Sequence, residues 1–102
     1  GVSTNQKKYE LEYGGKFLKD LKLAKRRGLN MQELVDVTDM LQEGKELPEK
    51  CRDHTLTGIY KGYRECHINP DWLLIYKKKD AIKVVSLYRT GTHSDLFGKI
   101  KR

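Results

Sequence analysis

Three strand-like runs separated by two short turns fill the chain between Tyr63 and Tyr88, and they constrain its fold more than any other feature. Tyr63–Ile68 comes first. With a side-chain period of two, Tyr63, Glu65 and His67 share one face, and Arg64, Cys66 and Ile68 share the other. Arg64 is then a cation on an otherwise apolar side: either it meets an acid there, or a bulge re-aims it. Asn69-Pro70-Asp71 makes a tight turn. Trp72–Tyr76 (WLLIY) is apolar almost without interruption, as a central strand should be. Lys77–Asp80 turns the chain again, and Ala81–Tyr88 is rich in β-branched residues that favour a third strand. Arg89-Thr90-Gly91-Thr92 leads to His93, and Ser94–Phe97 has room for one helical turn.

Upstream the period changes. Tyr9–Tyr13 (YELEY) alternates and predicts a short strand with Tyr9, Leu11 and Tyr13 on one face; Gly14-Gly15 breaks it. Lys16–Arg27 carries Phe17, Leu21 and Ala24 at i, i+4 and i+7, with Leu18 beside them, which predicts a helix with one buried face. Its other side is basic: Lys16, Lys19, Lys22, Lys25, Arg26 and Arg27 against a single acid, Asp20. Gly28 suits its C-terminal cap. Asn30 suits the N-cap of a second helix, with Glu33 as reciprocal partner. Leu34, Val37 or Thr38, and Leu41 form its buried face. Gly44 ends it, and Pro48 stops it resuming. Lys50–Gly62 reads as a polar loop with a short extended piece at Leu56–Tyr60.

The order strand, helix, helix, three strands predicts an α+β fold: a small antiparallel or mixed sheet of about four strands, with two helices packed on one face. A length of 102 residues allows one such domain with a modest core. It is expected to span 9–98. Residues 1–8 are expected to be disordered or a remnant of processing or cloning, and 99–102 a basic tail.

Twenty-one Lys and Arg against fourteen Asp and Glu leave a net charge of +7 and a pI of about 9.4. So large an excess on a small body favours phosphate-rich partners or an acidic protein. It is concentrated on the first helix, at Lys77–Lys79 and in Lys99, Lys101 and Arg102, whereas the second helix is acidic outside. No apolar run approaches the roughly 18 residues of a membrane span, and no secretory h-region is visible. No membrane role and a cytoplasmic location are expected. Cys51 and Cys66 lack CxxC spacing and suit a reduced cytosol as ordinary thiols.

All three histidines, His54, His67 and His93, lie in the C-terminal half beside predicted strands. Imidazole, with an ordinary pKa of about 6.5, both takes and gives a proton near neutrality. Gathered on one sheet, three imidazoles suit the attack of an RNA 2′-hydroxyl on the neighbouring phosphate. One removes the hydroxyl proton, one protonates the leaving 5′-oxygen, and one donates to the phosphorane. Each proton transfer is typically worth about 10²–10⁴-fold. Asp71, across the turn from His67, can orient or charge an imidazole. Trp72 or Phe97 can hold an unstacked base by its face, worth roughly 1–3 kcal/mol. Arg64, Arg89 and the lysines can bind phosphate.

Each of these residues also has a plainer role. A loop histidine is more often a surface group, Trp72 opens a core strand, Phe97 can cover the end of the sheet, and Asp71 is a common turn acid. The rival chemistry is a metal site, since Cys51 and His54 have C-x₂-H spacing and Cys66 abuts His67. Adjacent strand residues point to opposite faces, however, which sets Cys66 and His67 apart. There is no GxxxxGK[ST] or GxGxxG segment, and Ser94 lacks a nucleophile elbow. No metal or cofactor is expected.

DHTLTG (53–58), KGYRECHINPDWLLIY (61–76) and RTGTHSDLF (89–97) resemble the signature segments of the YafQ branch of RelE-type toxins, and YGGKFLKDLKLAKRRG (13–28) is similar to their first helix. The resemblance covers about residues 9–98. It implies a microbial-RNase-like α+β fold and a bacterial toxin of a type II toxin–antitoxin module. It also implies metal-free cleavage of mRNA in the ribosomal A site, neutralisation by an acidic antitoxin, and DNA contact only through the antitoxin complex. Carried over by motif, the catalytic positions are His54, His67, Asp71 and His93, with Trp72 and Phe97 against the base. His93 is the first choice for the general acid. Two other readings use the same residues: a basic, non-enzymatic module that binds RNA or an acidic protein through the first helix, and a ParE-like toxin that targets gyrase. The histidine set counts against the latter.

Overall fold

The computed structural model describes residues 7–98. Of the segments expected outside the domain, 1–6 and 99–102 lie outside the described residues. Lys8 is held: its amide donates to the carbonyl of Gln42 at 2.8 Å.

The elements run β1 (Glu10–Tyr13), α1 (Gly15–Arg26), α2 (Met31–Gln42), β2 (His54–Thr55), β3 (Arg64–Asn69), β4 (Trp72–Lys79), β5 (Val84–Gly91) and α3 (His93–Phe97). One five-stranded sheet orders them β1-β5-β4-β3-β2. β1 pairs parallel to β5, and the other neighbours are antiparallel. The α+β layer with α1 and α2 on one face is the expected fold, enlarged by the two-residue β2.

Local chemistry explains each element. Gly14 lets β1 turn directly into α1: a Cβ there would sit 3.1 Å from the Leu87 carbonyl oxygen of β5. Asn30 caps α2 by accepting from the Gln32 amide at 3.0 Å. The expected reciprocal partner, Glu33, is drawn elsewhere, since its carboxylate accepts from Asn69 at 3.1 Å and so ties α2 to the β3–β4 turn.

Two expectations are corrected. Leu56–Tyr60 is not a strand; the extended residues of that loop are His54–Thr55, and Gly58–Tyr60 is a 3₁₀ turn. The turn expected at Lys77–Asp80 lies later. Lys77, Lys78 and Lys79 pair in register with Ser86, Val85 and Val84. Their ammonium groups find partners outside the strand: Lys77 over the Tyr63 ring at 5.3 Å, Lys78 over Tyr9 at 5.0 Å, and Lys79 on Glu12 at 3.3 Å. Three lysines therefore extend β4 instead of ending it.

The sheet has two apolar faces. On one, Phe17, Leu34, Val37 and Leu41 of the helices pack on Trp72, Leu74, Tyr76, Val85 and Leu87. On the other, Tyr60 and Leu96 close over Leu73 and Ile75, with Tyr63, Tyr88 and Phe97 at the margin. β4 is buried on both sides, which accounts for its unbroken apolar run.

Candidate active site

The face away from α1 and α2 carries two cross-strand rows. His54, Glu65, Ile75 and Arg89 stand opposite one another from β2 to β5, and His67, Leu73 and Gly91 form the next row. Strands lie about 4.8 Å apart and same-face rows about 7 Å apart. α3 begins two residues after Gly91 with His93, and its Leu96 packs on this face with Leu73 and Ile75. Register thus brings His54 and His67 to one side of the sheet, and α3, packed on that side through Leu96, carries His93.

His54 is exposed but held. Its Nδ1 lies 2.6 Å from the Arg52 carbonyl oxygen, and its Nε2 lies 3.3 Å from Oε1 of Glu65. Both partners are acceptors, so an imidazolium donates to both at once and a neutral ring to only one. Glu65 is 5% exposed, and its second oxygen has no hydrogen-bond partner among the described residues. His67 is half-buried on the same strand face as Glu65. His93 is exposed and lies against the Phe97 ring, centroids 4.9 Å apart, while Tyr60 meets Phe97 edge-on at 5.4 Å.

α3 is set by its cap. Thr92 Oγ1 accepts from the Asp95 amide at 3.0 Å, and the Asp95 carboxylate accepts from the Thr92 amide at 2.9 Å. The Arg27 guanidinium beside Asp95, with help from these Thr92 bonds, lowers its carboxyl to about 2. Arg89 is half-buried, and its guanidinium makes a forked pair with Asp20 at 2.6 and 3.1 Å.

Two expected substrate contacts lie on the helix face. Trp72 is 1% exposed in the helix-face core, with its indole N–H donating to Thr90 Oγ1 at 2.8 Å, so its ring is not open to a base. Arg64 falls on the helix face, as alternation required, and the open choice resolves to a partner: Nε and a terminal nitrogen donate to Asp53 at 3.3 and 3.2 Å. The Tyr76 hydroxyl donates to the same carboxylate at 2.5 Å; burial first, then that acid, pushes its phenol up. Asp71 is exposed at the turn, and its carboxylate bonds no imidazole among the described residues.

Three residues of the site were not singled out from the sequence. Glu65 is the clearest, and its signal was its place on the His67 face. Asp20 gave no signal, because its arginine partner is 69 residues away, and Asp95 was legible only as the end of a Thr-x-x-Asp capping pattern, its tie to Arg27 lying 68 residues away.

Cys51 and Cys66 are buried free thiols on the helix face, and burial pushes both up. They lie across the sheet from His54 and His67. Among the described residues, no three His, Cys, Asp or Glu side chains are grouped to hold a metal ion.

Residues 9–98 match the family model described as the bacterial toxin of a type II toxin–antitoxin system, YafQ. The chain belongs to the YafQ toxin family. The mRNA interferase toxin YafQ of Escherichia coli strain K12 is 44% identical over 90 residues, covering 87% of this chain and 96% of that protein. YafQ in the E. coli DinJ–YafQ toxin–antitoxin complex superimposes with a TM-score of 0.81 at 43% identity, over 89% of this chain and 99% of that one. A metal-bound toxin from Helicobacter pylori gives a TM-score of 0.81 at 39% identity, over 87% and 99%. No helix among the described residues is long and apolar enough to cross a membrane.

Proposed function

We propose that this chain is the toxin of a type II toxin–antitoxin module, acting in the cytoplasm as an endoribonuclease on mRNA in the ribosomal A site. One observation supports the reading: His54 and His67 stand on one face of the sheet, and α3, whose Leu96 packs on that face, carries His93 against the Phe97 ring.

In this reading His93, exposed at the start of α3, protonates the leaving 5′-oxygen. His67 takes the 2′-hydroxyl proton. His54, oriented between the Arg52 carbonyl and Glu65, is the imidazole that serves the phosphorane. Phe97 supports the unstacked base, and Arg89 adds charge at the end of the row. Asp71 bounds the site at the β3–β4 turn. The net charge of +7 suits ribosomal RNA and an acidic antitoxin alike. DNA is reached only through the antitoxin. No cofactor takes part.

Primer extension on translated mRNA tests this. Cleavage inside codons is expected, insensitive to chelators, with 2′,3′-cyclic phosphate and 5′-hydroxyl ends, and it should vanish with His93→Ala. Intact cleavage by that variant overturns the assignment of His93. Wild-type protein that cleaves nothing overturns the enzyme.

A further inference from the structure

β1 stops at Tyr13, and beyond Leu87 it no longer pairs with β5. α1 covers that stretch, and two of its side chains reach across. Asp20 accepts from the Arg89 guanidinium at 2.6 and 3.1 Å and from the Thr90 amide at 3.1 Å. Two turns on, at the helix C-cap, Arg27 donates to both carboxylate oxygens of Asp95 at 2.7 and 3.3 Å. A spacing of seven puts Asp20 and Arg27 on one side of α1. The signs are reciprocal: acid to arginine at one end, arginine to acid at the other.

Asp95 is also the reciprocal half of the capping box that starts α3. It lies so close over Gly91 that a Cβ there would come within 2.9 Å of its carboxylate. α3 has five residues, too few to hold its own shape without outside ties. Arg27 therefore fixes the carboxylate that fixes the first turn, and that turn carries His93.

We propose that Asp20 and Arg27 are positioning residues for the histidine face: they set Arg89 directly and His93 through Asp95. Neither touches the reacting atoms. The inference rests on the reading of His93 as general acid.

The test is single-turnover cleavage by the full chain on programmed ribosomes at increasing ribosome concentration. Its variants are Arg27→Ala, Asp20→Asn, Asp95→Asn, His93→Ala and, as a stability control, Asn30→Ala, which removes the cap of α2 on the other face. Arg27→Ala and Asp20→Asn are expected to lower the saturated rate on the order of tenfold, with half-saturation moved less than about twofold. Arg27→Lys should recover part of the rate. Asn30→Ala should cleave at the wild-type rate despite a lower Tm. If Arg27→Ala does not fold, Asp95→Asn carries the same expectation at unchanged side-chain size. A wild-type saturated rate for Arg27→Ala overturns the proposal, as does an equal loss in Asn30→Ala or a loss confined to half-saturation. With His93→Ala inactive, those outcomes remove the clamp alone. With His93→Ala fully active, the reading and the clamp fall together.

Discussion

Nε2 of His54 lies 3.3 Å from one carboxylate oxygen of Glu65, and the other oxygen of that buried acid is unpartnered among the described residues. A buried carboxylate so poorly served destabilises the fold, and leaving one such group unsatisfied costs about 1–3 kcal/mol. Its benefit is the orientation of an imidazole. Glu65→Leu should therefore raise stability by about 1 kcal/mol, read as a higher Tm, while lowering mRNA cleavage about tenfold. A less stable variant with full activity would refute both halves.

Trp72 and Phe97 separate packing from binding. Trp72→Phe loses the bond to Thr90 and part of a filled core, so stability should fall by roughly 1–2 kcal/mol. Cleavage per folded molecule should change less than about twofold. Phe97→Ala should do the opposite, weakening cleavage about tenfold by removing a stacking surface, with the smaller shift in Tm. Parallel denaturation and cleavage assays decide the matter.

Arg64→Ala tests the far face. Its guanidinium pairs with Asp53 on the helix side of the sheet, so a loss of about 1 kcal/mol in denaturant unfolding is expected. Ribosome-dependent cleavage should stay at the wild-type level. A variant that folds normally but no longer cleaves would return Arg64 to the site.

Asp95 makes an acid limb. Its folded carboxyl is lowered to about 2 by Arg27, below the unfolded value of about 3.9. A depressed carboxylate contributes stability that is complete above the unfolded value and is lost as pH falls toward about 2. Asp95→Asn should remove that contribution, flattening the fall in Tm between about pH 4 and pH 2 relative to wild type. Identical acid profiles for the two proteins would rule the effect out.

Side-chain periodicity made much of this legible before any coordinates. Alternation assigned Glu65 and His67 to one face and Arg64 and Cys66 to the other, and the unbroken WLLIY run marked β4 as central. The i, i+4, i+7 stripe located α1 to within a residue. Periodicity failed where a partner distant in sequence decided the outcome. The lysines of β4 join a strand because Tyr63, Tyr9 and Glu12 stand beside them. Glu33 leaves its cap for Asn69. Trp72 had two readings, base-stacking by motif and core by pattern, and its burial with the Thr90 hydroxyl behind it agrees with the pattern.

The parallel pairing of β1 with β5 joins Glu10 to Val84 across most of the chain. Hairpins β3–β4 and β4–β5 close locally and early, whereas so distant a contact bears a large loop-closure entropy and forms late. α1 follows β1 directly, and its two ties to Arg89 and Asp95 span 69 and 68 residues, closures as distant as that of β1. Catalytic competence should thus be among the last properties a newly made molecule acquires, leaving a nascent interval in which the chain is compact but harmless.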